Sequence, residues 1–302
     1  DVVWVGTGEV NAGGGSLAYD GDGIYKSEDG GLSWQAKGLP DIGSVGKILI
    51  DPGDENTIFV GAMGPLFRND SNRGVYRSTD GGSSWEQKLF VSDSTGIIDM
   101  AIHPSNGNIV YAVAWERIRR PDNRQYGGET SGIYRSVDGG ETWSELTNGL
   151  PSAASQKGRI SIDVSQSNPD VLYARYTTDT GSIQGVYKTT DGGDNWIAVN
   201  SSQLTNIGFH WWFRGIYVDP TDENTLYNVD FVVEKSTDGG QNWFSAFPNV
   251  HVDQHALAFN NSVAGQVLLG NDGGFYKSDN DGASWVKDET LPITQIYRMH
   301  VD

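Results

Sequence analysis

His251, Asp253 and His255 alternate along the chain. On an extended strand that spacing turns all three side chains to one side. Two imidazoles around a carboxylate can hold a divalent metal, although a hydrolytic zinc also needs a further ligand or water and ordered groups behind its ligands. The plainer alternative is hydrogen bonding within the fold. A second group, Arg159, Arg214, His255 and Tyr297, is scattered in sequence but shares one register when the strands around a recurring Asp-Pro-like step are aligned. Those strands are Lys47–Pro52, Asp99–Pro104 and Gly215–Pro220, with looser copies at 160–165, 256–261 and 295–302. Two converging guanidinium groups would bind a carboxylate or sulfate bidentately, with His255 and Tyr297 as further donors; alternatively they stay solvated or pair with nearby aspartates. Within His210-Trp-Trp-Phe-Arg214, Trp211 and Trp212 make a sugar-stacking wall if exposed and core if buried. The basic stretch Glu116-Arg-Ile-Arg-Arg-Pro121 reads as a partner of acidic loops or a docking site for an acidic partner.

The elements that must carry these residues declare themselves as a repeat. Ser27-Glu-Asp29-Gly-Gly-Leu-Ser-Trp34 recurs with Asp80 and Trp85, Asp138 and Trp143, Asp191 and Trp196, and Asp238 and Trp243. A sixth copy, Ser278-Asp-Asn280-Asp-Gly-Ala-Ser-Trp285, has Asn280 in place of the aspartate and is expected to make fewer turn bonds. The tryptophans lie 51, 58, 53, 47 and 42 positions apart, a period of about 50 that suits one four-stranded blade per repeat. The expected fold is therefore an all-β β-propeller, one domain over residues 1–302, either closed as six blades or an arc of a larger propeller. Asp1-Val-Val-Trp-Val-Gly reads directly as a second strand B, as in a mature or excised chain. Ring closure would require Gln295–Val301 to pair with it as strand A.

Composition narrows the function. Glycine, 40 of 302 residues, is nearly double its usual share and points to turns, while 10 Trp, 13 Tyr and 10 Phe exclude disorder. No apolar run approaches a membrane span, so no membrane insertion is expected. A net charge of −18 makes nucleic acid an unsuitable partner. The absence of cysteine removes disulfides and thiol chemistry.

The boxes resemble those of the Asp-box or BNR-repeat propellers, a group that includes sialidases, xyloglucan hydrolases, photosystem II assembly propellers and sortilin-type receptor domains. The chain is most similar to secreted bacterial proteins with sortilin-like repeats at Val3-Trp-Val-Gly-Thr-Gly-Glu9, Ser131–Ser136, His251–Ala256 and Gly270-Asn-Asp-Gly-Gly274. The resemblance implies an extracellular, periplasmic or outer-surface protein and identifies fold before chemistry.

In an up-and-down blade all six boxes are C–D turns on one face, where Asp29, Asp80, Asp138, Asp191, Asp238 and Asn280 are structural. The opposite face carries the long loops Glu9–Asp22, Met63–Arg73, Trp115–Ser131, Ser152–Gly158 and Ser201–Phe213, and is the candidate binding face. Two functions follow. One is a binding module for a glycan or protein segment, with no cofactor and with further blades or a larger surface assembly as possible partners. The other is a glycoside hydrolase using two carboxyls about 5–5.5 or 6.5–9.5 Å apart, with Glu9, Asp99, Glu116 and Asp253 the acids nearest that face. A sialidase would also need an arginine triad, and only two channel-mouth arginines are found.

Overall fold

The structure, a computed structural model, describes residues 1–11, 19–246 and 249–291. It is an all-β propeller. Five four-stranded antiparallel blades follow one another, opening at Val45, Thr95, Ile160, Gly215 and Gln254. Blade one shows three strands, Val3–Gly6, Ile24–Ser27 and Gln35–Ala36. Val3–Gly6 pairs with Ile24–Ser27, as expected of a strand B. The segment Gln295–Val301 lies outside the described residues, as do Tyr297 and part of the Glu9–Asp22 loop. Apart from two three-residue 3-10 turns, Ala154–Gln156 and His210–Trp212, the described residues contain no helix, and none is long and apolar enough to cross a membrane.

The core lies between blades. Ile58 and Val60 of blade two pack toward Trp4 and Ile24 of blade one, while Phe59, one residue out of phase, packs toward Ile97 and Met100 of blade three. This is why the middle strands read as continuous apolar runs: both sheet faces are buried. At the centre, the inner strands are joined by side chains. Asp99 Oδ2 accepts the Ile162 N–H at 3.2 Å, Ser161 Oγ that of Ile216 at 3.1 Å and Asp163 Oδ2 that of Val218 at 2.9 Å.

Each box is closed by two acceptors. The Ser or Thr two residues before the aspartate accepts the N–H of the second glycine, as Ser78 does from Gly82 at 2.8 Å, and both glycines take positive φ, 67° and 80° in that box. The aspartate then gathers the turn: Asp80 accepts from Ser78 Oγ, the Ser83 and Ser84 amides and Ser84 Oγ. In blades two to five the first box glycine donates to the A–B turn, as Gly81 to Asn56 O at 3.0 Å and Gly239 to Asn224 O at 2.9 Å, and in blade six Asp281 does so to Gly265 O at 2.8 Å. Boxes and A–B turns therefore share a face.

The sixth box makes one bond fewer than the boxes of Asp80 and Asp238, as expected, but no fewer than the other three. Asn280 Oδ1 accepts from Ser278 Oγ and the Ser284 amide, and its Nδ2 donates to Ser284 Oγ at 2.9 Å, three bonds like those of Asp29. Because a hydroxyl accepts as readily as it donates, the carboxamide merely reverses one bond.

The five box aspartates titrate at about 2, held down first by the side chain four residues on, then by that residue's N–H. A depressed carboxyl stabilises the folded state above its ordinary value near 3.8 and loses that contribution as pH falls toward 2. Amide exchange in the box turns of blades two to five, taken relative to the intrinsic rate at each pH, should therefore accelerate between about pH 4 and 2, whereas the Asn280 box should change least.

Candidate functional site

On the loop-rich face, the last D–A connection before blade five folds into an aromatic turn. Phe209, Trp211, Trp212 and Phe213 meet Phe231 of the following B–C turn and Asp253, His255 and Asp272 of blade six around an open cleft of about 520 Å³. Phe209 is exposed and Trp211 and Trp212 are half-buried. Trp211 is wedged against Tyr126 with centroids 4.4 Å apart, and Trp212 stands 5.8 Å from Trp211. Phe209 meets Phe231 edge-on at 6.4 Å, and Phe213 lies 5.8 Å from the His255 ring. Five aromatic rings and three polar side chains give the composition of a ligand site: broad apolar contact with a few orienting groups.

A buried polar assembly fastens this turn from below. Arg175 bonds Asp230, donates to Asn228 Oδ1 at 3.0 Å and reaches the carbonyls of His210 and Phe213 at 3.2 and 3.4 Å. His210 Nδ1 meets Asp230 Oδ1 at 2.6 Å, while its Nε2 accepts the Ile207 N–H at 2.8 Å, so Nδ1 carries the proton of a neutral ring. Burial alone would raise the Asp230 carboxyl, but the Arg175 charge and the His210 bond hold it below its ordinary range. Glu234 extends the assembly by accepting from Asn228 Nδ2 at 2.8 Å and the Thr205 N–H at 2.7 Å.

The His-Asp-His set does not form a metal site. Asp253 has φ 63° and strand pairing starts only at Gln254, so the three residues do not share an extended strand. His251 Nδ1 turns to the Val252 carbonyl at 2.8 Å and His255 Nε2 to Asp272 Oδ1 at 2.8 Å. No cluster of three or more potential ligands occurs among the described residues. Asp253 instead lines the aromatic cleft, its carboxyl raised by burial and then by the charge of Asp272.

The channel-mouth register separates into different environments. Arg159 is buried, with Nη1 donating to Asn11 Oδ1 and to the Trp211 and Trp212 carbonyls at 3.1 Å, which fastens the aromatic turn rather than presenting a free fork. Burial lowers it to about 10. Arg159→Ala should cost about 2–3 kcal/mol by orphaning buried acceptors, read from the denaturant midpoint. Arg214 is half-buried beside the channel, its Nε 3.3 Å from Asp99 Oδ2 and its guanidinium 4.5 Å from the Tyr217 ring centroid. Burial pulls its pKa down, but the Asp99, Tyr217 and Asp163 environment leaves it raised overall. Lys47, on the same channel wall, is lowered to about 8 by Arg214 first and burial second. His255 belongs to the cleft.

Sequence reading missed Phe209, Phe231 and Asp272 in the cleft and the Arg175–Asp230 pair beneath it. One usable signal was present: Arg175 interrupts the apolar run Leu172–Tyr176, and Asn228 the short run Leu226–Val229.

Comparison with known proteins adds the following. The profile of the Sortilin-Vps10 family, described as sortilin, neurotensin receptor 3, matches residues 73–232, more than half of the chain. A xyloglucanase from Paenibacillus sp is 26% identical over 230 residues, 67% of this chain and 20% of that protein. Xyloglucanase Xgh74A from Acetivibrio thermocellus is 27% identical over 218 residues, 65% of this chain and 24% of that protein. The chain thus spans roughly a fifth to a quarter of these relatives' length. Among solved structures, an ancestral GH74 enzyme superposes with TM-score 0.67 at 25% identity, over 89% of this chain and 36% of that one.

Proposed function

The chain belongs to the Sortilin-Vps10 family, and from that premise we propose that residues 1–302 are a single carbohydrate-binding propeller domain whose aromatic cleft receives a neutral, β-linked polysaccharide of the xyloglucan class. The observation that carries this reading is the cleft itself: Phe209, Trp211, Trp212, Phe213 and Phe231 beside Asp253, His255 and Asp272. Sugar rings present apolar C–H faces to aromatic planes and hydroxyls to flanking acceptors. The similarity to xyloglucanases agrees in ligand class. Such a polymer places the protein outside the cytoplasm, secreted or on the cell surface, and nucleic acid has no role in the reading. Affinity electrophoresis in gels containing xyloglucan tests it: retardation supports the reading, and mobility equal to that in polysaccharide-free gels overturns it.

One observation favours a second reading, hydrolysis of the bound polymer. Asp253 lines the cleft with its carboxyl raised by burial and by Asp272, the condition of a general acid, and Asp272 is held by His255. Release of reducing sugar that Asp253→Asn abolishes, with xyloglucan retardation preserved, is its expected result; no release by the unmodified chain rejects it.

A further inference from the structure

One register on the inner strands ties a blade to the next. Lys47 pairs with Gly61, Asp99 with Val113 and Ser161 with Arg175. Each of these pairs lies three residues beyond the middle-strand residue opposite the box Ser or Thr, namely Ile58 with Ser78, Val110 with Ser136 and Leu172 with Thr189. Asp99 and Ser161 use the position alike. Across the seam, each accepts the N–H of the residue just after the same position in the following blade, Ile162 at 3.2 Å and Ile216 at 3.1 Å. Lys47 holds the position in blade two and can only donate. The corresponding N–H of blade three, that of Met100, bonds instead to Oδ1 of the adjacent Asp99 at 3.0 Å.

Among the described residues Lys47 Nζ makes no hydrogen bond or ion pair. The two carboxylates in its field are engaged elsewhere. Asp99 Oδ2 takes Ile162 N–H and Arg214 Nε, and Asp163 takes the N–H groups of Val164 at 3.1 Å and Val218 at 2.9 Å. Three cations, Lys47, Arg159 and Arg214, therefore stand with two anions, Asp99 and Asp163, while the neighbouring Arg175 is met by Asp230. One positive charge is left over among the described residues, and burial, which raises the Asp163 carboxyl, enlarges the excess. A half-buried ammonium beside a guanidinium is destabilising unless an anion lies between them.

We infer that the channel wall between Lys47 and Arg214 is a binding site for one small monovalent anion, a halide such as chloride. The ion accepts from the Lys47 ammonium and the Arg214 guanidinium, and supplies at blade two the acceptor that Asp99 and Ser161 supply at blades three and four. Its single charge matches the excess. Its size follows from the seam: a Cβ on Gly46, the residue before Lys47, would stand 2.3 Å from Ile97 O, so the inner strands of blades two and three touch beside the site. That closeness favours a single atom over a branched oxyanion. The inference does not depend on the ligand of the aromatic cleft.

Two measurements on the whole chain test it. The chlorine nuclear resonance of dissolved chloride should broaden when the protein is added, because an ion held by a slowly tumbling molecule relaxes quickly. The excess broadening should be lost in Lys47→Met and in Lys47→Gln, and should survive sodium sulfate at the same ionic strength. Crystals grown in sodium bromide should show an anomalous peak in contact with Lys47 Nζ and the Arg214 guanidinium. Should neither variant fold, the bromide map of the unmodified chain decides alone. Broadening equal in the parent and a folded variant, loss of broadening to sulfate, or a bromide map with no peak at Lys47 overturns the inference.

Discussion

Replacing Asp230 with alanine is expected to destabilise the protein by about 3–5 kcal/mol, because it leaves the Arg175 cation buried without its anion. Both side chains are at most 2% exposed, so water cannot take the carboxylate's place. The damage should extend to the site: Arg175 also holds the carbonyls of His210 and Phe213, and Asp230 fixes the His210 ring that accepts from Ile207. Loosening this assembly frees the turn that presents Phe209, Trp211 and Trp212. Near-ultraviolet dichroism should weaken along with the urea midpoint. The double substitution Arg175→Met with Asp230→Leu removes both charges and should recover much of the loss, a coupling that a double-mutant cycle measures. A single Asp230→Ala variant as stable as the parent would show that the pair does not hold the turn.

The second large effect is on binding. Trp212→Ala and Phe209→Ala should each weaken xyloglucan binding about tenfold, the equivalent of about 1.4 kcal/mol, with thermal midpoints nearly unchanged. Phe209 is exposed and Trp212 half-buried, so neither supports the core. Trp211 should behave differently. Wedged against Tyr126 and closing on Gly181, it should lose stability as well as affinity when truncated. Binding should also be nearly independent of salt, because a neutral glycan asks nothing of the chain's net charge of −18. Steep salt dependence would point to an ionic ligand at Arg214 and Lys47.

The propeller was legible because its signal is local and repeated: a Ser or Thr, an Asp and two glycines within one turn, written five times, and a sixth time with Asn280 and Asp281 in place of the Asp and the first Gly, at a period matching one blade. The loop-rich face followed from connectivity alone. The cleft was only half legible. Trp211 and Trp212 announced themselves as an aromatic pair, but Phe231 and Asp272 sit in short B–C turns of separate blades, and their meeting with Phe209 depends on the angle between sheets. The metal reading failed at one dihedral, since a positive φ at Asp253 breaks the alternation on which it depended. Arg159 and Arg214 share a register yet differ in role because Arg159 is enclosed by carbonyls from a loop whose course no periodicity encodes.

The central claim is that ligand binds in the aromatic cleft on the face opposite the Asp boxes. A hydrogen-exchange footprint of a xyloglucan oligosaccharide tests it most directly. The predicted result is slowed exchange over Phe209–Phe213, Phe231, Asp253–His255 and Asp272, with the box turns unchanged. Protection confined to the box turns, or absent at saturating oligosaccharide, would contradict it.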